Sequence, residues 1–374
     1  FPLIAIPLFI LAGALMNTGG ISTRLIAFVS ALIGFVRGGL AMVNVGVSMF
    51  FAEISGSAVA DVAATGSVLI PAMKNKGYSP RMAAAITSSS ASLAIIIPPS
   101  IPMILYGAMS DTSIVKLFVA GIVPGVLGGG LLMALCYYMA RRYNLPRDEA
   151  FSLRRLAETG KEASWALFLP VVILGGIFGG VVTATEGAAL AVVSALFIGV
   201  FIYREINLRH LYHALVDGVL QTSVVMLMVA ASAVLGLYLT ETEMPQKLAA
   251  GITDITTNPF AVLMIINVFL LFVGMVLHGA AAIILTVPIF MPLVHQLGID
   301  PIQFGILLTL NIALGQQTPP VASVLITSCS IAKTDVWKTS VTNLPFVGVL
   351  VLVLMLVTYV PTVSLGLVGA VYGQ

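Results

Sequence analysis

Apolar residues run through this chain in long unbroken blocks, not in alternation with polar ones. Trp165–Val182, Ala188–Ile202 and Leu344–Val360 are three such blocks. Each approaches the roughly 20 residues that carry a helix across about 30 Å of hydrocarbon. Outer-membrane strands would instead give short segments of period two. The pattern predicts an all-α, polytopic membrane protein. Composition agrees: of 374 residues 59% are hydrophobic and 9% charged, with a mean hydropathy of +1.09, against about a quarter charged in soluble domains. Phe1–Met16 reads as another hydrophobic helix, without the charged leader and cleavage site of a signal peptide. At least one helix is expected to precede it.

Proline and glycine positions then reveal an internal repeat. Displacing the sequence by 221 positions (292 − 71) carries Pro71, Pro80, Pro98, Pro99 and Pro124 onto Pro292, Pro301, Pro319, Pro320 and Pro345, without a gap. Gly77 falls on Gly298 and Thr65 on Thr286. With two residues inserted upstream, Arg24-Leu25 meets Lys247-Leu248 and Gly56 meets Gly279. Two long copies, unlike the many short ones of a solenoid, are the pattern of a transporter built from two halves. Lys74, Lys76 and Arg81 surround the first Gly77 loop, whereas His295–Ile302 holds no Lys or Arg. By the positive-inside rule the two loops face opposite sides, so the repeats are inverted. The basic segment Arg141–Lys161, two crossings away through Arg81–Ala108 and Val115–Ala140, falls on the same side as Lys74.

The predicted organisation is a first repeat over 1–140, with an arm at 22–36, a re-entrant hairpin at 38–73 and a broken helix at 81–108. A basic amphipathic connector, lying in the interface against anionic lipid, follows at 141–162, then linking scaffold helices at 163–222. The second repeat, 223–374, has its arm at 244–257, hairpin at 259–294 and broken helix at 302–331. The apolar stretch between Arg37 and Lys74 is too long for one crossing, at roughly 54 Å of helix. It is interrupted at Glu53-Ile54-Ser55-Gly56-Ser57. Two half-length helices turning there fit, as do two kinked crossings. His278-Gly279 interrupts the second copy in the same way. Such a pair of glycine-broken segments is the sequence pointer to a transporter's binding site.

After each hairpin a Pro-Pro pair must break the next helix, at Ile97-Pro98-Pro99-Ser100 and Gln317-Thr318-Pro319-Pro320. Prolines strip donors from the preceding turn, leaving carbonyls around Ile97 and Thr318 as hard oxygen ligands for a small cation. The helix start beyond each break offers amides to a carboxylate. Asp61 is either part of such a cation site or a hydrogen-bonded structural carboxylate, since a charge at membrane depth needs a partner. Glu53 carries the same ambiguity. Ser89, Ser90 and Ser92 are ligands or small packing residues; Gln316, Gln317 and Thr318 form a polar triplet that packing alone does not require. His278 is a proton-sensitive gate or a buried donor, and Glu186 belongs at an interface or between helices.

Net charge +2 gives no reason to expect nucleic acid. Cys136 and Cys329 show no disulfide framework, and His210, His213, His278 and His295 no transition-metal spacing. An enzyme would need a nucleophile–base pair or metal ligands; an ion channel would lack a saturable organic substrate.

Phe1-Pro2-Leu3-Ile4-Ala5-Ile6-Pro7-Leu8-Phe9, Ser55-Gly56-Ser57-Ala58-Val59-Ala60-Asp61, Ile97-Pro98-Pro99-Ser100 and Gly315-Gln316-Gln317-Thr318-Pro319-Pro320 resemble the large membrane (M) subunit of tripartite ATP-independent periplasmic (TRAP) transporters. The resemblance covers essentially the whole chain apart from the family's first helix. It implies a multi-pass subunit of the bacterial inner membrane, working with a small four-helix membrane subunit (Q) and a periplasmic substrate-binding protein (P). It also implies carboxylate uptake, of dicarboxylates or sialic acids, coupled to sodium ions without an organic cofactor, by an elevator movement. Carried onto this sequence, the sodium-binding set is Ser55, Gly56, Ser57, Asp61, Ser90, Ser92 and Ile97 at one tip, and Gly279, Gln316 and Thr318 at the other. The substrate-binding set is Ser57, Ser89, Pro98, Ser100, His278, Gln317 and Pro319. A stand-alone sodium/carboxylate elevator transporter without a soluble partner is the alternative reading.

Overall fold

The computed structural model describes residues 2–145, 151–244 and 258–373, with 247, 250, 251 and 256 between; at 2, 53–55, 236 and 240 it describes the backbone alone. Every regular element among the described residues is helical. Helix α1 (Ala5–Thr18) bends by 70° into α2 (Ile21–Ile33), the first predicted arm. The second predicted arm, 244–257, lies almost wholly outside the described residues.

Helix α3 (Gly39–Ser55) ends at Gly56, whose φ of +56° is left-handed. Ser57 is extended, and α4 (Ala58–Asp61) then runs through a widened turn, Val62–Gly66, into α5 (Ser67–Asn75). Helix α6 (Pro80–Ala91) tightens through Ser92–Ile95 and stops; α7 (Ile101–Ser110) resumes beyond Pro98-Pro99. Then come α8 (Ile114–Arg142), α9 (Leu153–Phe178), α10 (Ala184–Phe197) and α11 (Leu208–Glu241). The second hairpin is α12 (Pro259–Val276) and α13 (Gly279–Gln296), turning at Leu277-His278. Its broken helix is α14 (Pro301–Gly315) and α15 (Ser323–Ala332), and α16 (Val336–Tyr359) and α17 (Thr362–Tyr372) close the chain. Among the described residues seven helices are long and apolar enough to span a membrane, and the bent α1–α2 pair would make an eighth.

Positions matched by the 221-residue displacement share local chemistry. Ser79 caps α6 by accepting from Met82 N at 3.2 Å, with Pro80 next. Asp300 caps α14 by accepting from Ile302 N at 2.7 Å, with Pro301 next. Proline at the first helical position loses no bond, because that amide has no intrahelical acceptor. The preceding helices end on left-handed Gly77 and Gly298, where a side chain would be strained. Thr65 Oγ1 donates to Asp61 O, and Thr286 Oγ1 to Ala282 O. Downstream of the double prolines the gap-free register fails by one residue. Ser113 caps α8 and Asp335 caps α16, so Pro124 and Pro345 occupy positions one apart in their helices.

The predicted connector is also corrected. Its basic residues do not form a separate helix in the interface: Arg141-Arg142 end α8, and Leu153–Glu162 are the first turns of α9, which continues through the apolar run to Phe178. Helical propagation costs less than nucleating a second short helix. Arg147 lies outside the described residues. Glu186 forms an exposed capping box with Thr183 at the start of α10.

Helices α9, α10 and α11 pack around α1 and α2, while α3 to α8 and α12 to α17 pack mostly on one another. The outer group keeps large apolar side chains exposed, such as Phe168, Val193 and Leu227, as expected of surfaces facing lipid tails.

Candidate functional site

Both hairpin tips rest on helix breaks. A Cβ placed on Gly56 would lie 3.0 Å from Pro99 O and 3.1 Å from Ile101 N, so only a glycine lets this tip approach the first break so closely. At the second tip, a Cβ on Gly279 would lie 2.5 Å from the Gln316 side-chain nitrogen. Val321 N also donates to Met275 O at 3.1 Å, tying the second break to α12.

A cavity of about 460 Å³ lies between the two tips. Gly56, Ser57, His278, Gly279 and Gln316 line it, so the structure brings together two tips more than 220 residues apart in sequence. Ile101 and Pro102 open α7 into it, and Gly279 and Ala280 open α13. Neither helix start has a side-chain cap hydrogen bond, so two sets of amide donors and two positive dipole ends meet one space, a setting suited to an anion. The outer wall is Ile10 of α1 with Gln221, Val224 and Val225 of α11. Gln221 was not singled out in the sequence: one glutamine on a largely exposed helix carries no local signal.

Asp61 lies behind the first tip and is fully buried, and neither carboxylate oxygen has a hydrogen-bond partner among the described residues. The Ser48 hydroxyl approaches it without completing a bond and instead donates to Ser90 Oγ at 3.2 Å. Ser90 donates to Asn44 Oδ1 at 2.8 Å, and Asn44 Nδ2 to Thr87 Oγ1 at 2.7 Å. An unpaired carboxylate in such surroundings costs several kcal/mol, which a bound cation would remove. Ser48 and Asn44 are further members that the sequence reading missed.

The second half repeats part of this network. With the insertion that brings Gly56 to Gly279, Asn44 falls on Asn267, and Ser90 falls on Asn311. Asn311 Nδ2 donates to Asn267 Oδ1 at 2.7 Å, and Asn267 Nδ2 to Thr358 Oγ1 at 3.0 Å. Each hairpin is thus pinned to its broken helix through one buried asparagine. Asn44→Ala leaves Ser90 and Thr87 buried with lost partners; a stability loss of about 1–3 kcal/mol is expected, seen as a lower thermal midpoint with secondary structure unchanged.

Other expected ligands lie elsewhere. Ser89 does not reach the cavity: its hydroxyl is bonded to Gln317 Oε1 at 2.6 Å and contacts Asn343 Oδ1 at 2.8 Å, while Asn343 Nδ2 donates to Gln317 Oε1 at 3.2 Å. Ser89 and Gln317 therefore join the two broken helices to α16. Ser100 donates to Ile95 O at 2.6 Å, satisfying a carbonyl freed by the break. Ser92 and Thr318 bond back to Ser88 O and Leu314 O. Pro98 and Ile97 are buried, and Pro319 lines a separate outer cleft with Trp337. The Ser55 side chain lies outside the described residues.

Compared with known protein families, residues 1–363 match the one described as tripartite ATP-independent periplasmic transporter, DctM component. The chain belongs to this family. It is a transporter component, not an enzyme. A C4-dicarboxylate TRAP transporter large permease protein DctM of Pseudomonas aeruginosa is 40% identical over 98% of this chain and 86% of its own length. The isethionate TRAP transporter permease protein DctMQ of Oleidesulfovibrio alaskensis is 39% identical over 99% of the chain. The sialic acid TRAP transporter permease protein SiaT of Haemophilus influenzae is 36% identical over 97%. The chain spans 58% and 59% of those two longer relatives.

Proposed function

We propose that this chain carries organic carboxylates across the bacterial inner membrane, driven by sodium and supplied by a periplasmic binding protein. The observation that carries the reading is the cavity closed by both hairpin tips and faced by two uncapped helix starts, with the Asp61 carboxylate, unpaired among the described residues, buried behind one of them. The helix starts suit the carboxylate and Asp61 suits the cation. The dicarboxylate and sialic acid named for relatives are both carboxylates. A small membrane subunit (Q) is proposed as a second partner, supported by the composite name DctMQ of a relative longer than this chain.

The sodium set is Gly56, Ser57 and Asp61 with backbone near Ile97 at the first tip, and Gly279 with Gln316 and Thr318 at the second. Ser57, His278 and Gln316 face the substrate. Because the cavity lies between the hairpin-bearing helices and the α1–α11 wall, a rigid displacement of the former past the latter carries the site across, with the two repeats inverted. Ion and substrate must both favour the closed state for coupling, since a ligand indifferent to two states shifts neither.

The test is uptake into proteoliposomes holding the chain and a small membrane subunit, under an inward sodium gradient, with and without a binding protein. Val225→Trp, which fills the cavity from its outer wall, is expected to cut uptake at least about tenfold, equivalent to about 1.4 kcal/mol, with little change in thermal midpoint. Uptake indifferent to sodium would overturn the coupling. Uptake indifferent to the soluble protein would favour a stand-alone transporter.

A further inference from the structure

We propose that a groove at the basic end of the molecule, built around Arg37 and Arg141, holds the headgroup of an anionic phospholipid. The inference is independent of the transport site. The groove, about 670 Å³, lies between the link joining α2 to α3 and the last turns of α8, and is lined by Phe35, Val36, Arg37, Tyr137 and Arg141. A second groove of about 330 Å³ shares Phe35 and adds Lys76 and Arg155. No described carboxylate lines either one.

Three features make this a built site. Gly38 has φ +70°, and a Cβ there would lie 2.3 Å from the Ala140 methyl. That close approach fixes the link, and with it Arg37, against α8. Arg141 lies over the Tyr137 ring at 4.9 Å from its centroid; ring stacking orients a guanidinium while leaving its edge donors available. Neither Arg37 nor Arg141 is ion-paired with a described residue.

Two guanidiniums converging on one space fit a phosphate, which they bind through paired hydrogen bonds. Placement selects a lipid over a free phosphate. The groove opens where apolar α8 ends in Tyr137, Tyr138, Arg141 and Arg142, the order of aromatic and basic residues found at a membrane interface. Leu32 and Tyr138 beside it are exposed, offering acyl chains an apolar path from the headgroup.

The test is native mass spectrometry of the full chain in detergent, titrated with phosphatidylglycerol or with phosphatidylcholine of the same acyl chains. Phosphatidylglycerol should bind the wild type tightly and phosphatidylcholine weakly. Each arginine should contribute about fivefold, so Arg37→Gln/Arg141→Gln should weaken phosphatidylglycerol about 25-fold. Arg209→Gln, which removes a charge at the start of α11, should not. Equal binding of both lipids by the wild type, a fact independent of how any variant folds, would overturn the proposal. So would an unchanged double variant. Displacement of the lipid by millimolar inorganic phosphate would assign the groove to free phosphate instead.

Discussion

Asp61→Asn is expected to abolish sodium-driven uptake and, at the same time, to make the sodium-free protein more stable. The two effects have one cause. In the structure the carboxylate is fully buried with both oxygens unpaired among the described residues. Without a cation that charge opposes folding, and an amide of the same shape relieves several kcal/mol of the penalty in order of magnitude. With a cation the sign reverses: wild type gains RT ln(1 + [Na]/Kd), about 2.7 kcal/mol at one hundred times Kd, and the variant gains nothing. Thermal unfolding in sodium chloride against choline chloride separates the cases. The wild-type midpoint should rise with sodium, while the variant should start higher and stay flat. A variant that still responds fully to sodium would remove Asp61 from the cation site and leave it a structural carboxylate.

Gly315→Ala should be among the most damaging single methyls in the molecule. Where α12 crosses α14, a Cβ on Gly315 would lie 2.3 Å from Gly274 C and 2.5 Å from Gly274 Cα. These are backbone atoms, so no side chain can rotate away. Two helices that touch at paired glycines must separate by more than an ångström to admit the methyl. Overpacking of a core costs about 1–3 kcal/mol and occasionally more, and here the upper end applies. The displacement also reaches function: Gly274 lies just before the second tip, and Gly315 just before Gln316, which lines the cavity. Uptake should fall more than about tenfold and the thermal midpoint should drop. Gly348→Ala on α16 is the control, since a Cβ there meets nothing within 4 Å. Equal behaviour of the two variants would mean that the α12–α14 crossing is not rigid.

The features legible in sequence were those with a local cause. Pro98-Pro99 and Pro319-Pro320 had to break their helices because proline cannot donate and clashes with the preceding turn. Gly56 marked a tip because only a glycine permits such close backbone approach, and Gly279 because a Cβ there would crowd the Gln316 side chain. The length of the Arg37–Lys74 run called for two legs where one helix would have been too long. The connector failed for a related reason: basic residues described a preferred environment, but helix α9 meets no proline or glycine between Lys161 and Pro170, and it continues through Pro170 to Phe178.

The roles of serines and amides were not legible, because a hydroxyl has no fixed partner until the chain is packed. Ser89, Ser90, Ser92 and Ser100 look alike in sequence. One joins both broken helices to α16, one pins the first hairpin, one bonds back along its own turn and one satisfies a freed carbonyl. Asn44 and Asn267 stand in apolar runs with nothing to mark them, yet each clasps the partner helix in its own half.

The sequence by itself determined the membrane class and the places where glycine and double proline interrupt the helices, since hydrophobic length, proline and glycine act within a few residues of chain. The tertiary structure decided which tip meets which break, that one cavity serves both, that Gln221 walls it, and that Asp61, unpaired among the described residues, lies behind it. Those are contacts between segments far apart in the chain, set by the shapes of whole helices packing together, and no local run of residues encodes them.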